Sequence, residues 1–327
     1  MDSASGVKSC DRNPFGINGP LNNLPPSAYT LAKDAHYGWV RLFFRWDKMQ
    51  AAPFGPINTA AMMGPDDHPA WQSTANQMIL DAEAAHFSIL VTINGRPSWA
   101  DATNVAEMYG DFMDKLVARF SGDVHAGEIW NQPNFEYAPA IYRSILARGA
   151  ASIHAHDPNG ARVLAPGIYE GPACNQNETL SDWLVNGDGT LAAAFDTVSI
   201  HPYNSDANVI RNRIVDASNF AVAHGIGQVW VSESGFGPEG TGCGDGNGCL
   251  ASVPAVNIGA CINLVSEMMR PTSPTYVPRF ARWFVFKLAD RDDNTACSPG
   301  LLDANGNPKG RYNEVKAYNL STGTWWQ

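Results

Sequence analysis

The sequence predicts a single closed (β/α)8 barrel spanning residues 1–327, and three observations carry that prediction. Eight short apolar, β-branched runs recur along the 327 residues, each ending in a polar or Gly/Pro cluster. From residue 15 to residue 282 they start roughly every 38 residues, enough for a strand, a helix and two connections, as parallel crossovers require. No shift in composition divides the chain, and its length exceeds the roughly 250 residues of an ordinary barrel by an amount that loops can absorb.

In chain order the runs are FGIN (15–18), WVRLFF (39–44), SILVTIN (88–94), AGEIWN (126–131), RVLAPG (162–167), TVSIH (197–201), QVWVSE (228–233) and RWFVFK (282–287). Between them, 72–85, 106–120 and 137–156 place apolar residues at three-and-four spacing, the signature of amphipathic helices. The turn Asp157-Pro158-Asn159-Gly160 stops the last of these before the fifth strand. An open doubly wound sheet normally carries a G-x-G-x-x-G after its first strand, and FGINGPLNN has none. Long connections follow the second, seventh and eighth strands at 45–71, 234–254 and 290–312, and in a barrel they gather at the C-terminal mouth. Residues 1–12 are read as a flexible or replaced start.

Charge and cysteine content narrow the partners. Lys and Arg number 22 against 32 Asp and Glu, a net charge of −10, and no basic run offers a surface to nucleic acid or an anionic membrane. No apolar stretch reaches the ~18 residues of a membrane span. The 10 Trp, 10 Tyr and 14 Phe suit a core, and also a cleft for flat, polar-rimmed ligands. Six cysteines (Cys10, Cys174, Cys243, Cys249, Cys261 and Cys297) fit three disulfides, with Cys243–Cys249 in TGCGDGNGC the favoured local pair; free thiols are the alternative. The sequons at Asn177 and Asn319 add little, since the motif arises by chance. Met1–Gly6 has neither a charged start nor an apolar centre, so it reads as the start of a mature chain in a secreted or extracytoplasmic setting. A monomer is expected.

Polar residues cluster where the apolar runs end. Asn131 and Gln132 close the fourth, His201 and Tyr203 the sixth, Glu233 the seventh, and Arg41 lies within the second. A carboxylate at such a strand end sits in a partly desolvated mouth, where its pKa and nucleophilicity can be tuned. Glu128, inside the fourth run, reads as structural. The strand-associated Trp99, Trp130 and Trp283 read either as core or as stacking faces for a flat ligand, and Trp46 and Phe54, in the loop after the second strand, as facing the cleft. Asp290–Asp293 reads as a solvated loop bordering the mouth. No His/Asp/Glu set shows metal-ligand spacing, so neither a metal nor a cofactor is expected.

Glu128–Asn134 (EIWNQPN) resembles the W-N-E-P-N motif of the retaining glycoside hydrolases of clan A, most of all family 39 and bacterial exopolysaccharide-degrading relatives. Val40-Arg41, Arg96-Pro97-Ser98-Trp99, His201-Pro202-Tyr203 and Ser232-Glu233 follow in that family's order. The resemblance implies a retaining O-glycosidase acting on a poly- or oligosaccharide by double displacement. It implies Glu233 as nucleophile, Asn131 as ligand of the sugar 2-hydroxyl, and Arg41, His201 and Tyr203 as lining the subsite and orienting Glu233.

One residue departs from the pattern. Where the family has its acid/base Glu, this chain has Gln132. An amide keeps the shape but has no proton to give at neutral pH, and losing general acid–base catalysis typically costs 10²–10⁴-fold. Three readings follow: a Glu→Gln variant that holds bound substrate, a natural carbohydrate-binding pseudoenzyme, or an enzyme whose proton comes from another carboxylate such as Glu136 or Glu170. A barrel acting on phosphorylated metabolites is the competing class, and the sequence Glu-Ser-Gly-Phe-Gly after the seventh strand lacks its Gly-rich phosphate loop.

Overall fold

A computed structural model of the chain describes residues 13–19, 27–63, 73–101, 103–157, 160–169, 179–187, 189–203, 207–235, 258–286, 300–303 and 306–321. Eight parallel strands close into a barrel: β1 (Phe15–Asn18), β2 (Trp39–Arg45), β3 (Ser88–Asn94), β4 (Ala126–Glu128), β5 (Arg162–Leu164), β6 (Thr197–His201), β7 (Gln228–Gly235) and β8 (Phe280–Phe286). Each pairs with its sequence neighbours, and β8 closes on β1 with Phe15 opposite Trp283. A helix follows each strand: α1 (Ser27–Asp34), α2 (Ala75–Ala84), α3 (Val105–Phe120), α4 (Pro139–His156), α5 (Leu180–Leu184), α6 (Ala207–Ala223), α7 (Ile258–Met269) and α8 (Gly310–Ser321). The predicted barrel is therefore the observed one.

Local chemistry sets the helix starts. Thr74 caps α2 by accepting from the Gln77 amide at 3.1 Å, and Pro139 occupies the first turn of α4, where a missing N–H costs nothing. Thr179 and Asp182 form a reciprocal capping box on α5. The predicted starts at 72 and 137 thus move inward to these caps.

Two strands end earlier than their apolar runs. AGEIWN is strand only to Glu128 because Trp130 and Gln132 adopt positive φ, 78° and 48°. Asn131 keeps one bridge to Gly167, past the end of β5. The described residues of the connection after β2 form a helical turn at Trp46–Met49, a bridge from Gln50 to Ile57, and a short pairing of Met62–Met63 with Ser73–Thr74, while 64–72 lie outside the described residues.

Side chains divide by strand alternation into two cores. Outward residues pack under the helices in one large cluster that includes Val40, Leu42, Phe44, Ile89, Val91 and Val285. Inward, Trp39, Leu90, Ala126, Leu164, Trp230 and Phe284 fill the floor of the barrel. Gly16 makes room there: a Cβ would stand 2.3 Å from the Phe284 ring. The layer above this floor is polar, and that is where the site forms.

Several expectations lie outside the described residues: Cys10, Cys174, Cys243, Cys249 and Cys297, the side chain of Cys261, the Asn177 sequon, Glu170, Lys287, Asp290–Asp293 and nearly all of the loop after β7. No helix among the described residues is long and apolar enough to cross a membrane.

Candidate active site

Arg41 organises the mouth. It projects inward from the middle of β2, is fully buried, and distributes its guanidinium over residues of β1, β3, β7 and β4 with the turn that follows it. Nε donates to Thr92 Oγ1 of β3 at 2.8 Å and to Glu128 Oε2 of β4 at 2.7 Å. Nη1 reaches Asn18 Oδ1 of β1 and Glu233 Oε2 of β7, both at 2.9 Å. Nη2 donates to Asn131 Oδ1 at 2.8 Å and closes the ion pair to Glu128 Oε2 at 2.6 Å. A planar fork with five donors suits this divergent set of acceptors; a point charge would not. Asn18 is held in turn, its Nδ2 donating to the Ser232 and Val285 carbonyls.

Glu233 faces inward because β7 bulges. Strict alternation from Trp230, which points into the barrel floor, would turn Ser232 in and Glu233 out. The register against β8 slips between Val231 and Ser234, and the extra residue lets both side chains enter the barrel. Glu233 is 7% exposed. Its Oε1 accepts from the Tyr203 hydroxyl at 2.6 Å and its Oε2 from Arg41. Burial raises its pKa above the ordinary carboxylate value, while the Arg41 charge and the Tyr203 hydrogen bond pull the other way. The outcome is a partly desolvated carboxylate held at both oxygens by donors, which is the state a nucleophile needs.

Gln132 stands across His201 from Glu233. Its Nε2 lies 3.0 Å from His201 Nδ1, and Glu233 Oε2 lies 3.9 Å from the same ring nitrogen. The two groups are therefore no farther apart than those distances laid end to end, which admits the ~5–5.5 Å of a retaining carboxyl pair. The backbone is fitted to this arrangement: Gln132 N donates to the Gly167 carbonyl at 3.2 Å. Gly167 has no Cβ because one would sit 1.9 Å from His201 Nε2. His201 itself is fully buried, and burial together with the Arg41 charge pushes its pKa well below the usual imidazole value, so it is neutral.

Of the site residues expected from sequence, the structure brings together Arg41, Asn131, Gln132, His201, Tyr203 and Glu233. Trp99 is half-buried and meets Trp46 edge-to-face at 5.5 Å, so part of its surface remains open. Two expectations are corrected. Trp46 is fully buried, ringed by Trp99, Tyr109, Phe112 and Trp130 and bonded through Nε1 to Gln50, and it offers no face to a ligand. Trp283 is 3% exposed, lies one residue out of phase with the inward-facing Phe284 of β8, and packs on Phe15 in the outer core. Phe54 is 51% exposed, but its carbonyl accepts from Lys115 of α3, which ties it to the helical layer. Glu136 is exposed at the rim; partial desolvation of its carboxyl raises its pKa above the ordinary carboxylate value, with the charges of Arg96 and Arg45 pulling the other way.

Glu128 is structural, as expected, but central. Besides Arg41, it accepts from Thr92 at 2.5 Å and from Ser232 at 2.6 Å. Ser232 also meets Ser199 at 2.5 Å and His201 Nε2 at 2.9 Å. Asn18, Thr92 and Ser199 were not singled out from sequence. Each is a polar residue at or near the end of an apolar strand, the same signal that marked Glu233. Among the described residues, no group of three or more His, Cys, Asp or Glu is placed to hold a metal ion.

No protein-family model matches the chain, and no curated protein sequence does. Solved structures do. A family 39 glycoside hydrolase from the gut symbiont Bacteroides cellulosilyticus WH2 superposes with a TM-score of 0.66 at 15% identity over 95% of this chain and 65% of that one. The exo-β-1,4-mannosidase Op5Man5 from Opitutaceae bacterium strain TAV5 gives 0.65 at 15% identity over 96% and 60%. The present chain thus spans less than two thirds of either. The endo-β-1,4-glucanase Xac0029 from Xanthomonas axonopodis pv. citri matches nearly end to end, with a TM-score of 0.62 at 14% identity over 93% and 97%. At such identity the shared property is the fold: this chain has the barrel of glycoside hydrolases whose named activities differ from one another.

Proposed function

We propose that the chain is a retaining-type O-glycosidase barrel for a poly- or oligosaccharide, with Glu233 as nucleophile and position 132 as the acid/base place. The observation that carries this reading is the pairing itself. A carboxylate held by Tyr203 and Arg41 faces, across one histidine, the residue at which the motif calls for a second carboxyl group. Glu233 attacks the anomeric carbon, the leaving oxygen takes a proton, and water later hydrolyses the glycosyl-enzyme. Asn131, anchored on Arg41, is the expected partner of the sugar 2-hydroxyl, and Trp99 the expected stacking face.

Gln132 neither protonates the leaving oxygen nor activates water. The chain as it stands therefore binds saccharide and turns over slowly, with activated leaving groups least affected because they need no acid. Of the two alternative proton sources, Glu136 is set aside because it stands exposed on the rim, while Glu170 lies outside the described residues. The test is Gln132→Glu, assayed beside the parent on aryl glycosides and on a polysaccharide panel. A gain of roughly 10²–10⁴-fold on poor leaving groups is expected. Equal activity would remove position 132 from catalysis. Inactivity of both, with saccharide binding retained, would favour the carbohydrate-binding pseudoenzyme.

A further inference from the structure

The hydrogen-bond network around His201 determines which end of the Gln132 amide faces the cleft. Glu128 is ion-paired with Arg41 and only accepts. Ser232 has a single proton, and at 2.6 Å from Glu128 Oε1 it must donate there. Its oxygen is then an acceptor toward its other two neighbours, Ser199 and His201 Nε2. His201 Nε2 therefore carries the imidazole proton. The ring is neutral, so Nδ1 is a bare lone pair. At 3.0 Å it can only accept from residue 132, which fixes the amide with –NH2 toward His201 and the carbonyl oxygen away from it. That oxygen makes no hydrogen bond among the described residues and is not buried, so it opens to the cleft.

We infer that this chain selects saccharides presenting a free anomeric hydroxyl over the corresponding intact glycosides. A glycosidic oxygen has no proton and meets the Gln132 carbonyl lone pair against lone pair. A hemiacetal hydroxyl donates to it. The polar network thus turns a place that would serve bond cleavage into a receptor for a reducing-end sugar, the class of compound that hydrolysis releases. Glu128 and Ser232 are positioning residues in this device, acting through the tautomer of His201. The inference rests on the carbohydrate reading of the cleft, while the tautomer stands apart from it.

Two measurements test it on the full chain. Nitrogen-15 NMR of histidine-labelled protein, with His201 assigned by loss of its signals in His201→Asn, is expected to show the proton on Nε2 and a bare Nδ1 at neutral pH. A proton on Nδ1 would reverse the amide and overturn the inference while leaving the glycosidase reading intact. Calorimetric titration then compares glucose, galactose, mannose and xylose with their methyl α- and β-glycosides. The free sugar that binds is expected to do so about 10-fold more tightly than its glycosides, the penalty for an unsatisfied acceptor. In Gln132→Met, which keeps length but not the acceptor, the ratio should fall to within about twofold. Equal affinities in the parent chain, or a preference that survives Gln132→Met, would overturn the selection. Absence of binding by every pair, with the proton on Nε2, would overturn the carbohydrate reading and the proposed ligand with it.

Discussion

Arg41→Lys keeps the charge at the centre of the mouth and removes only its geometry, which makes it a direct probe of how the site is built. The guanidinium serves five acceptors: Thr92 Oγ1, Glu128 Oε2, Asn18 Oδ1, Glu233 Oε2 and Asn131 Oδ1. An ammonium has three protons on one atom, so at least two acceptors go unserved. An orphaned buried acceptor costs about 1–3 kcal/mol and a half-buried one such as Asn131 less, so the predicted loss is ~2–4 kcal/mol. Because the two carboxylates compete best for the ammonium, the amide oxygens of Asn18 and Asn131 should be the ones released. Urea unfolding followed by fluorescence measures the loss as a shift of midpoint at constant slope. A variant within ~1 kcal/mol of the parent would refute the reasoning, since charge alone would then suffice.

Further expectations follow from the same contacts. Tyr203→Phe removes a donor that holds Glu233 down, so the acid limb of glycosylation of the protein by a dinitrophenyl glycoside should move to higher pH; a limb that stays or falls contradicts the assignment. The folded-state pKa of His201 is depressed, so below the unfolded value of about 6.5 the unfolded chain binds a proton that the folded one refuses. Stability therefore falls on acidification, by up to ~1.4 kcal/mol per pH unit, and the parent-minus-His201→Asn difference should slope below that pH and be flat above it. Gly167→Ala pushes a methyl group into the His201 ring and should reduce saccharide binding more than any change of comparable size on the helical layer. Trp46→Ala should cost ~3–5 kcal/mol in urea unfolding, because the ring is core and not platform.

The barrel was legible because its signal is local and repeated. FGIN, SILVTIN and TVSIH are strands at the residues where apolar runs place them, and the polar residue closing each run marks the mouth. Other features needed the third dimension. Nothing in VSESG announces a bulge, yet without it Glu233 would face the helices. EIWNQPN looks like strand to Asn131 but turns after Glu128, because positive φ at Trp130 and Gln132 swings Asn131 and Gln132 into the site together. The fates of Trp46 and Trp283 were equally hidden: residue type says aromatic, and only packing says which way the ring points. Glu128 read as structural on account of its position inside a strand. Its position at the junction of Arg41, Thr92 and Ser232 follows from the registers of several strands, which no single run encodes.

The account turns on Glu233 being the group that attacks sugar, and covalent capture tests this most directly. Because Gln132 cannot activate water, the second displacement should be slow, and an activated substrate should leave its sugar on the protein. The parent chain is to be incubated with 2,4-dinitrophenyl glycosides of several sugars, then digested and mapped by mass spectrometry. A stoichiometric burst of dinitrophenolate, with one glycosyl group on the peptide at Glu233 and none in Glu233→Gln, is the predicted result. A label on another residue, or turnover without any covalent species, would contradict the central claim.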